Sequence, residues 1–211
     1  MEKKNKALNY FIWFVIFLIV AVGVWMFVSD NSIDEPTPYS IYNGYVIYEI
    51  KDDKSLRYNV QIYANDGKEY LHIFKNYPEN LLSLDYEKNL RNLILYKDDI
   101  LKKDKIYVSY NPIMDGSEIL SVGTLIQILG TGNAGVFKIP VVVSVTEDNQ
   151  NPDFPIKTCD DATKEVGVIE LRYGEPRIYS EGECVVLQGS NREDFINNAD
   201  LLSYMILEVI E

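Results

Sequence analysis

Lys105-Ile-Tyr-Val-Ser-Tyr110 and Phe137-Lys-Ile-Pro-Val-Val-Val-Ser-Val145 frame the part of the chain with the plainest grammar. Both segments are rich in β-branched and aromatic residues, which suits strands. Between them, Asp115-x-x-Glu118 has the form of a capping box. Ile119, Val122, Ile126 and Leu129 then recur at helical spacing, and Gly130 stands where a C-terminal cap belongs. Strand, helix and strand in this order predict a right-handed crossover between parallel neighbours in one sheet.

Downstream, residues 166–173 and 184–187 read as strands joined across Gly174 and Gly182. Ser190-x-x-Glu193 is a second capping box, opening a last helix with Phe195, Ala199, Leu202 and Ile206 on one apolar face. Upstream, residues 45–50 read as a strand. Residues 56–63 alternate Leu56, Tyr58, Val60 and Ile62 against Arg57, Asn59, Gln61 and Tyr63, the period of a half-buried strand. Asn65-Asp66-Gly67 supplies turn chemistry, and residues 69–75 return as the partner. Pro78 can open a short helix, residues 86–95 read as helix or strand, and residues 98–104 as a charged turn. Hairpin, β-α-β and β-β-α units together predict an α+β fold, a mixed β-sheet with helices against it. It would divide into a β-rich part, 41–104, and an α/β part, 105–211.

Residues 7–28 contain no charged side chain. As a helix they would be roughly 33 Å long, enough to cross a hydrocarbon core of about 30 Å. The competing reading is a cleaved signal peptide, but its apolar region spans roughly 7–15 residues and ends in a small-x-small site. Here the run continues through Trp25-Met-Phe-Val28, so an uncleaved anchor is expected. Lys3, Lys4 and Lys6 precede the span, whereas Asp30, Asp34 and Glu35 follow it. The positive-inside rule then leaves residues 1–6 as a cytoplasmic tail and puts the rest outside the cell membrane. Residues 29–40, with Pro36 and Pro38, read as an extended linker.

The 211 residues hold 20 Lys+Arg and 32 Asp+Glu; setting aside Lys3, Lys4, Lys6 and Glu2 leaves 17 and 31 beyond the span, a net −14. A body so acidic is repelled by phosphate backbones, which argues against nucleic acid as a partner. Cys159 and Cys184 are the only cysteines and fall on the side expected to be oxidising. A disulfide would stabilise by roughly 3.5 kcal/mol in the chain-entropy model; the alternative is two buried free thiols. One His, His72, and a disulfide leave no zinc-type donor set, so no metal or cofactor is expected.

Gly130-Thr-Gly-Asn-Ala-Gly135 matches G-x-G-x-x-G by letter. A dinucleotide fingerprint needs a strand entering and a helix leaving, and here the order is reversed. A helix-to-strand connection is expected instead. Asp148, Asp153, Asp160 and Asp161, with Asn149 and Asn151 between them, lack the mid-loop glycine and closing glutamate of a calcium loop and read as solvated. His72 alternates with Tyr70 and Phe74 and is expected to pack rather than act as a base. Tyrosines number 16, and seven gather between Tyr39 and Tyr70. They suit strands and interfaces alike. The outward set of Arg57, Gln61 and Tyr63 is the candidate binding face.

Phe74-Lys-Asn-Tyr-Pro78, Tyr107-Val-Ser-Tyr-Asn-Pro112, Thr158-Cys-Asp-Asp-Ala162, Glu183-Cys-Val-Val-Leu-Gln-Gly189 and the helix from Asn198-Ala-Asp200 through Tyr204 form a pattern. In these short pieces, spread over most of the part beyond the span, the chain resembles single-pass, membrane-anchored surface proteins of archaea. The resemblance implies a surface location and transfers no catalytic residue. The expected function is therefore binding or envelope assembly, with membrane lipid and other envelope proteins as partners. Two alternatives stand beside it: an extracytoplasmic hydrolase or carbohydrate-active enzyme using acidic residues, and a redox-inactive thioredoxin-like subunit.

Overall fold

In a computed structural model of the chain, residues 38–210 are described apart from 54, 65, 66 and 149. The expected tail, membrane helix and most of the linker lie outside the described residues, as do Asn65 and Asp66 of the hairpin turn. No helix among the described residues is long and apolar enough to cross a membrane.

The body is a mixed α+β fold with two sheets. Sheet A is an antiparallel meander of β1 (Pro38–Tyr42), β2 (Tyr45–Lys51), β3 (Leu56–Tyr63) and β4 (Glu69–Phe74). The alternation in β3 holds from Tyr58 on, with Tyr58, Val60 and Ile62 buried but Leu56 exposed at the strand's start, and Tyr70, His72 and Phe74 of β4 point to the same side. Residues 38–40, expected as linker, belong to β1, where Ile41 pairs with Val46 and Tyr42 with Tyr45.

Sheet B contains β5 (Asp85–Tyr86), β6 (Lys105–Tyr110), β7 (Val141–Val145), β8 (Val166–Tyr173), β9 (Arg177–Glu181) and β10 (Cys184–Gly189), in the order β5-β9-β10-β8-β6-β7. β6 and β7 are parallel neighbours, as the β-α-β pattern predicts. β8 and β10 are also parallel. Their connection includes β9, a strand absent from the sequence reading, which pairs antiparallel with β10 across a two-residue turn where Gly182 takes φ 61. Its sequence, Arg-Ile-Tyr-Ser-Glu, has one buried apolar side chain, Ile178, and so too little periodicity to announce a strand.

The helices are α1 (Leu90–Leu95), α2 (Gly116–Ser121), α3 (Gly123–Leu129) and α4 (Arg192–Ile206). The single helix expected after Asp115 is two, broken at Val122, which is fully buried and whose N–H bonds only three residues back, to Ile119 O. Gly123 follows, and glycine costs about 1 kcal/mol in a helix interior. Gly130 ends α3 in extended backbone, φ −68 and ψ 173, rather than in the left-handed cap expected. The strand expected over 137–145 begins only at Val141, because Lys138 has φ 57 and Pro140 has no N–H for a ladder.

α4 holds the body together. Its N-cap is Asn191, whose Oδ1 accepts from the N–H groups of Glu193 and Asp194, while Asp194 Oδ2 accepts from Ser190 N–H. The capping pair thus lies one residue later than Ser190-x-x-Glu193 predicts. Phe195, Ala199, Leu202 and Ile206 are buried, but so are Asn198, Asp200, Leu201 and Tyr204. The helix is enclosed because it packs on β10 of sheet B while Tyr204 meets Phe74 of sheet A, ring centroids 4.2 Å apart. Residues of the expected 41–104 and 105–211 parts consequently share one apolar core.

Candidate binding cleft

Where the β3–β4 hairpin and Tyr45 of β2 face the end of α4, packing leaves a cleft of about 330 Å³. Tyr45, Tyr63 and Tyr70 of sheet A form one side. Arg91 and Tyr96, at the two ends of α1, face them together with Lys102, Phe137, Lys138 and Glu208. Ligand pockets run from about 300 to 1,000 Å³, so the space suits a small ligand.

Main-chain oxygens aim each cation. Arg91 Nε donates to Ile206 O at 2.9 Å, and its guanidinium lies 5.6 Å from the Tyr96 ring centroid. Lys102 Nζ donates to Phe137 O at 2.6 Å. Lys138 Nζ donates to Gly132 O at 2.8 Å and stands 5.6 Å from the Tyr70 ring centroid. An ammonium has three N–H groups and a guanidinium five. Most of these donors, including both Nη groups of Arg91, therefore make no hydrogen bond among the described residues. Among the described residues one carboxylate lines the cleft, that of Glu208, 3.5 Å from Arg91 Nε and 66% exposed. Burial, followed by the nearby Glu208 charge, raises the Tyr45 pKa above its ordinary value, and its hydroxyl donates to Leu207 O at 2.9 Å.

The glycine-rich loop of 130–135 follows α3 and leads directly into Val136, Phe137 and Lys138 of this wall, ahead of β7. It doubles back so tightly that a Cβ on Gly135 would lie 1.7 Å from Gly130 O. The N–H groups of Val136 and Phe137 then both reach Ile128 O. Lys138 follows at φ 57, and Glu208 across the cleft has φ 62. Neither residue type favours left-handed backbone, and holding it there costs roughly 1–3 kcal/mol. Backbone strain is thus spent on two charged residues of one cleft.

Of the candidate face, Arg57, Gln61 and Tyr63, only Tyr63 lines the cleft, with 65% of its surface exposed. Gln61 supports it, Nε2 donating to Tyr63 OH at 2.7 Å and to Glu69 Oε1 at 2.8 Å. Arg57 sits at the other end of β3, paired with Asp52 at 2.7 Å beside a separate shallow depression. Sequence reasoning did not single out Arg91, Lys102 or Lys138. They are scattered in sequence, and only the fold assembles them.

Cys159 and Cys184 are joined in a disulfide, Cα to Cα 5.1 Å, tying the segment before β8 to the start of β10. Glu170 lies beside them, accepting from Cys159 N–H at 2.9 Å and from Arg172 at 2.8 and 3.0 Å. Arg172 also bonds Glu181, and these carboxylates raise its pKa. Both sulfurs are spent on each other, so the proximity of Glu170 makes no metal donor set. Lys103 is buried, donating to Thr163 O at 2.7 Å and Lys164 O at 3.1 Å, and burial lowers its pKa. His72 is 2% exposed, and burial lowers its pKa to about 4. In the acidic loop, Asp161 is committed to Lys157 Nζ and Thr158 N–H. Asn149 lies outside the described residues.

Comparison with protein-family models, with curated proteins and with solved structures finds no match for this chain. Function therefore rests on its own residues.

Proposed function

We propose that this is a single-pass, membrane-anchored extracytoplasmic protein that works by binding, with the cleft between the β3–β4 hairpin and α1 as its recognition site. One observation carries the binding reading. In a chain of net charge −12, the cleft gathers, among the described residues, three cations and four tyrosines against one carboxylate. Unspent donors at a concave site are what recognition needs. Glycoside hydrolysis by a carboxylate pair would ask for a second acid, and among the described residues the cleft lining offers Glu208 alone. The anchor reading is supported by the charge-free residues 7–28 and the basic flank before them. A disulfide in the body suits an oxidising compartment. Other envelope proteins are the natural neighbours of a domain so tethered.

Protease added to intact cells tests the placement: digestion of the acidic body is expected, and full protection would overturn it. A photo-crosslinker at Tyr63 in native membranes tests the recognition site. Adducts there are expected, and an adduct yield no higher than from a crosslinker placed at Asp53 would refute a binding role for the cleft.

A further inference from the structure

We infer that the cleft takes an anionic sugar unit, a ring bearing a carboxylate or phosphate, with the oxyanion held among Arg91, Lys102 and Lys138. The inference deepens the binding reading and rests on it. Three observations lead to it. The cations carry donors left over from main-chain contacts, so an oxyanion would gain hydrogen bonds without breaking existing ones. Gathered in one concavity, their fields add, and screening over a Debye length of about 8 Å mutes the acids elsewhere on the body. The walls themselves are amphipathic. Tyr63 offers an exposed ring together with a hydroxyl steadied by Gln61, which matches a sugar, whose ring has an apolar C–H face and a polar rim.

Glu208 has a definite part in this arrangement. It is the resident carboxylate of the site, close to Arg91 and largely exposed on strained backbone. An incoming oxyanion competes with it for the guanidinium. Removing its charge without changing its shape therefore tightens binding, whereas removing the lysine charges loosens it. A purely structural role for these residues predicts neither sign.

The experiment is a titration of the full chain in detergent micelles at physiological salt, followed by calorimetry. The probes are trigalacturonate and glucose 6-phosphate, with maltotriose as the neutral control. The two anions separate a carboxylate source from a phosphate source. Lys102→Met with Lys138→Met keeps the aliphatic stems of two exposed residues, and unchanged near-ultraviolet dichroism verifies the fold. Saturable binding of either anion is expected, weakened at least about tenfold in the double variant and tightened in Glu208→Gln. Equal affinity for the wild-type chain and the double variant would overturn the inference, as would maltotriose binding as well as the anions or no saturable binding of either. Because the protease and crosslinking results do not depend on these probes, failure here is distinguishable from failure of the membrane-anchored binding reading.

Discussion

Asp200 Oδ2, deep in α4, accepts both the backbone N–H and the side-chain Nδ2 of Asn76, each at 3.0 Å. Lys75 N–H adds a third bond at 3.0 Å. These donors favour the ionised carboxylate, but burial outweighs them and raises its pKa to about 7. His72, buried under sheet A, is shifted the other way, to about 4. For Asp200 the folded pKa exceeds the unfolded value, so its contribution to stability falls as pH rises from about 4 to about 7. For His72 the folded pKa is below the unfolded one, so stability is lost as pH drops from about 6.5 to about 4. The two slopes oppose each other. Asp200→Asn should leave stability falling with acidification over that range, and His72→Phe should leave it falling with rising pH. Each slope should amount to a few kcal/mol across the range. Urea melts at pH 4.5, 5.5 and 6.5 check this, and parallel profiles for the two variants would refute it.

The disulfide ties the Cys159 turn to β10 across an otherwise long loop. Cys159→Ser with Cys184→Ser should lower stability by about 2–5 kcal/mol. Non-reducing mass analysis of the wild-type chain should find it two hydrogens lighter than after reduction. Ready alkylation of both sulfurs without denaturant or reductant would contradict the bond.

Lys103 satisfies two carbonyls of the 163–164 turn from a buried position, with Glu183 3.6 Å away. Lys103→Ala would leave those carbonyls unpaired beside a cavity, at a cost of about 2–4 kcal/mol. Chemical denaturation gives the value, and a loss below 1 kcal/mol would mean that water replaces the ammonium.

Lys138 combines strain with charge. Lys138→Gly relieves the left-handed backbone and should be neutral or stabilising by up to about 1 kcal/mol. It also removes one of the three cleft cations. Thermal melts alongside trigalacturonate titration should show stability retained and affinity reduced. Stability lost together with affinity would show instead that the lysine serves packing.

The elements with strong periodicity were legible from the sequence. β3 and β4 alternate cleanly because one face of sheet A is buried, and β6, β8 and β10 are apolar runs in the interior of a sheet. Elements shaped by tertiary contact were not. α4 looks one-sided by spacing, yet it buries Asn198 and Asp200 because those groups serve neighbouring main chain. β9 exists because β10 offers it an edge. The cleft was the least legible feature. Tyr63 was found through strand alternation, but Arg91 and Lys102 are aimed by main-chain oxygens of distant segments that accept from them, and Lys138 by that of Gly132 in the preceding loop.

Asn43 Nδ2 donates to Val209 O and Tyr45 OH to Leu207 O, so the first hairpin is buttoned to residues more than 160 positions later. The apolar side of sheet A is covered by segments that come later in the chain, α3 lying against β4 and Tyr204 of α4 against Phe74. Val60, Ile62 and Phe74, all buried in the finished fold, therefore stay uncovered until those later segments have been made. Closure of this half of the core thus depends on contacts far apart in sequence, the kind that slow folding.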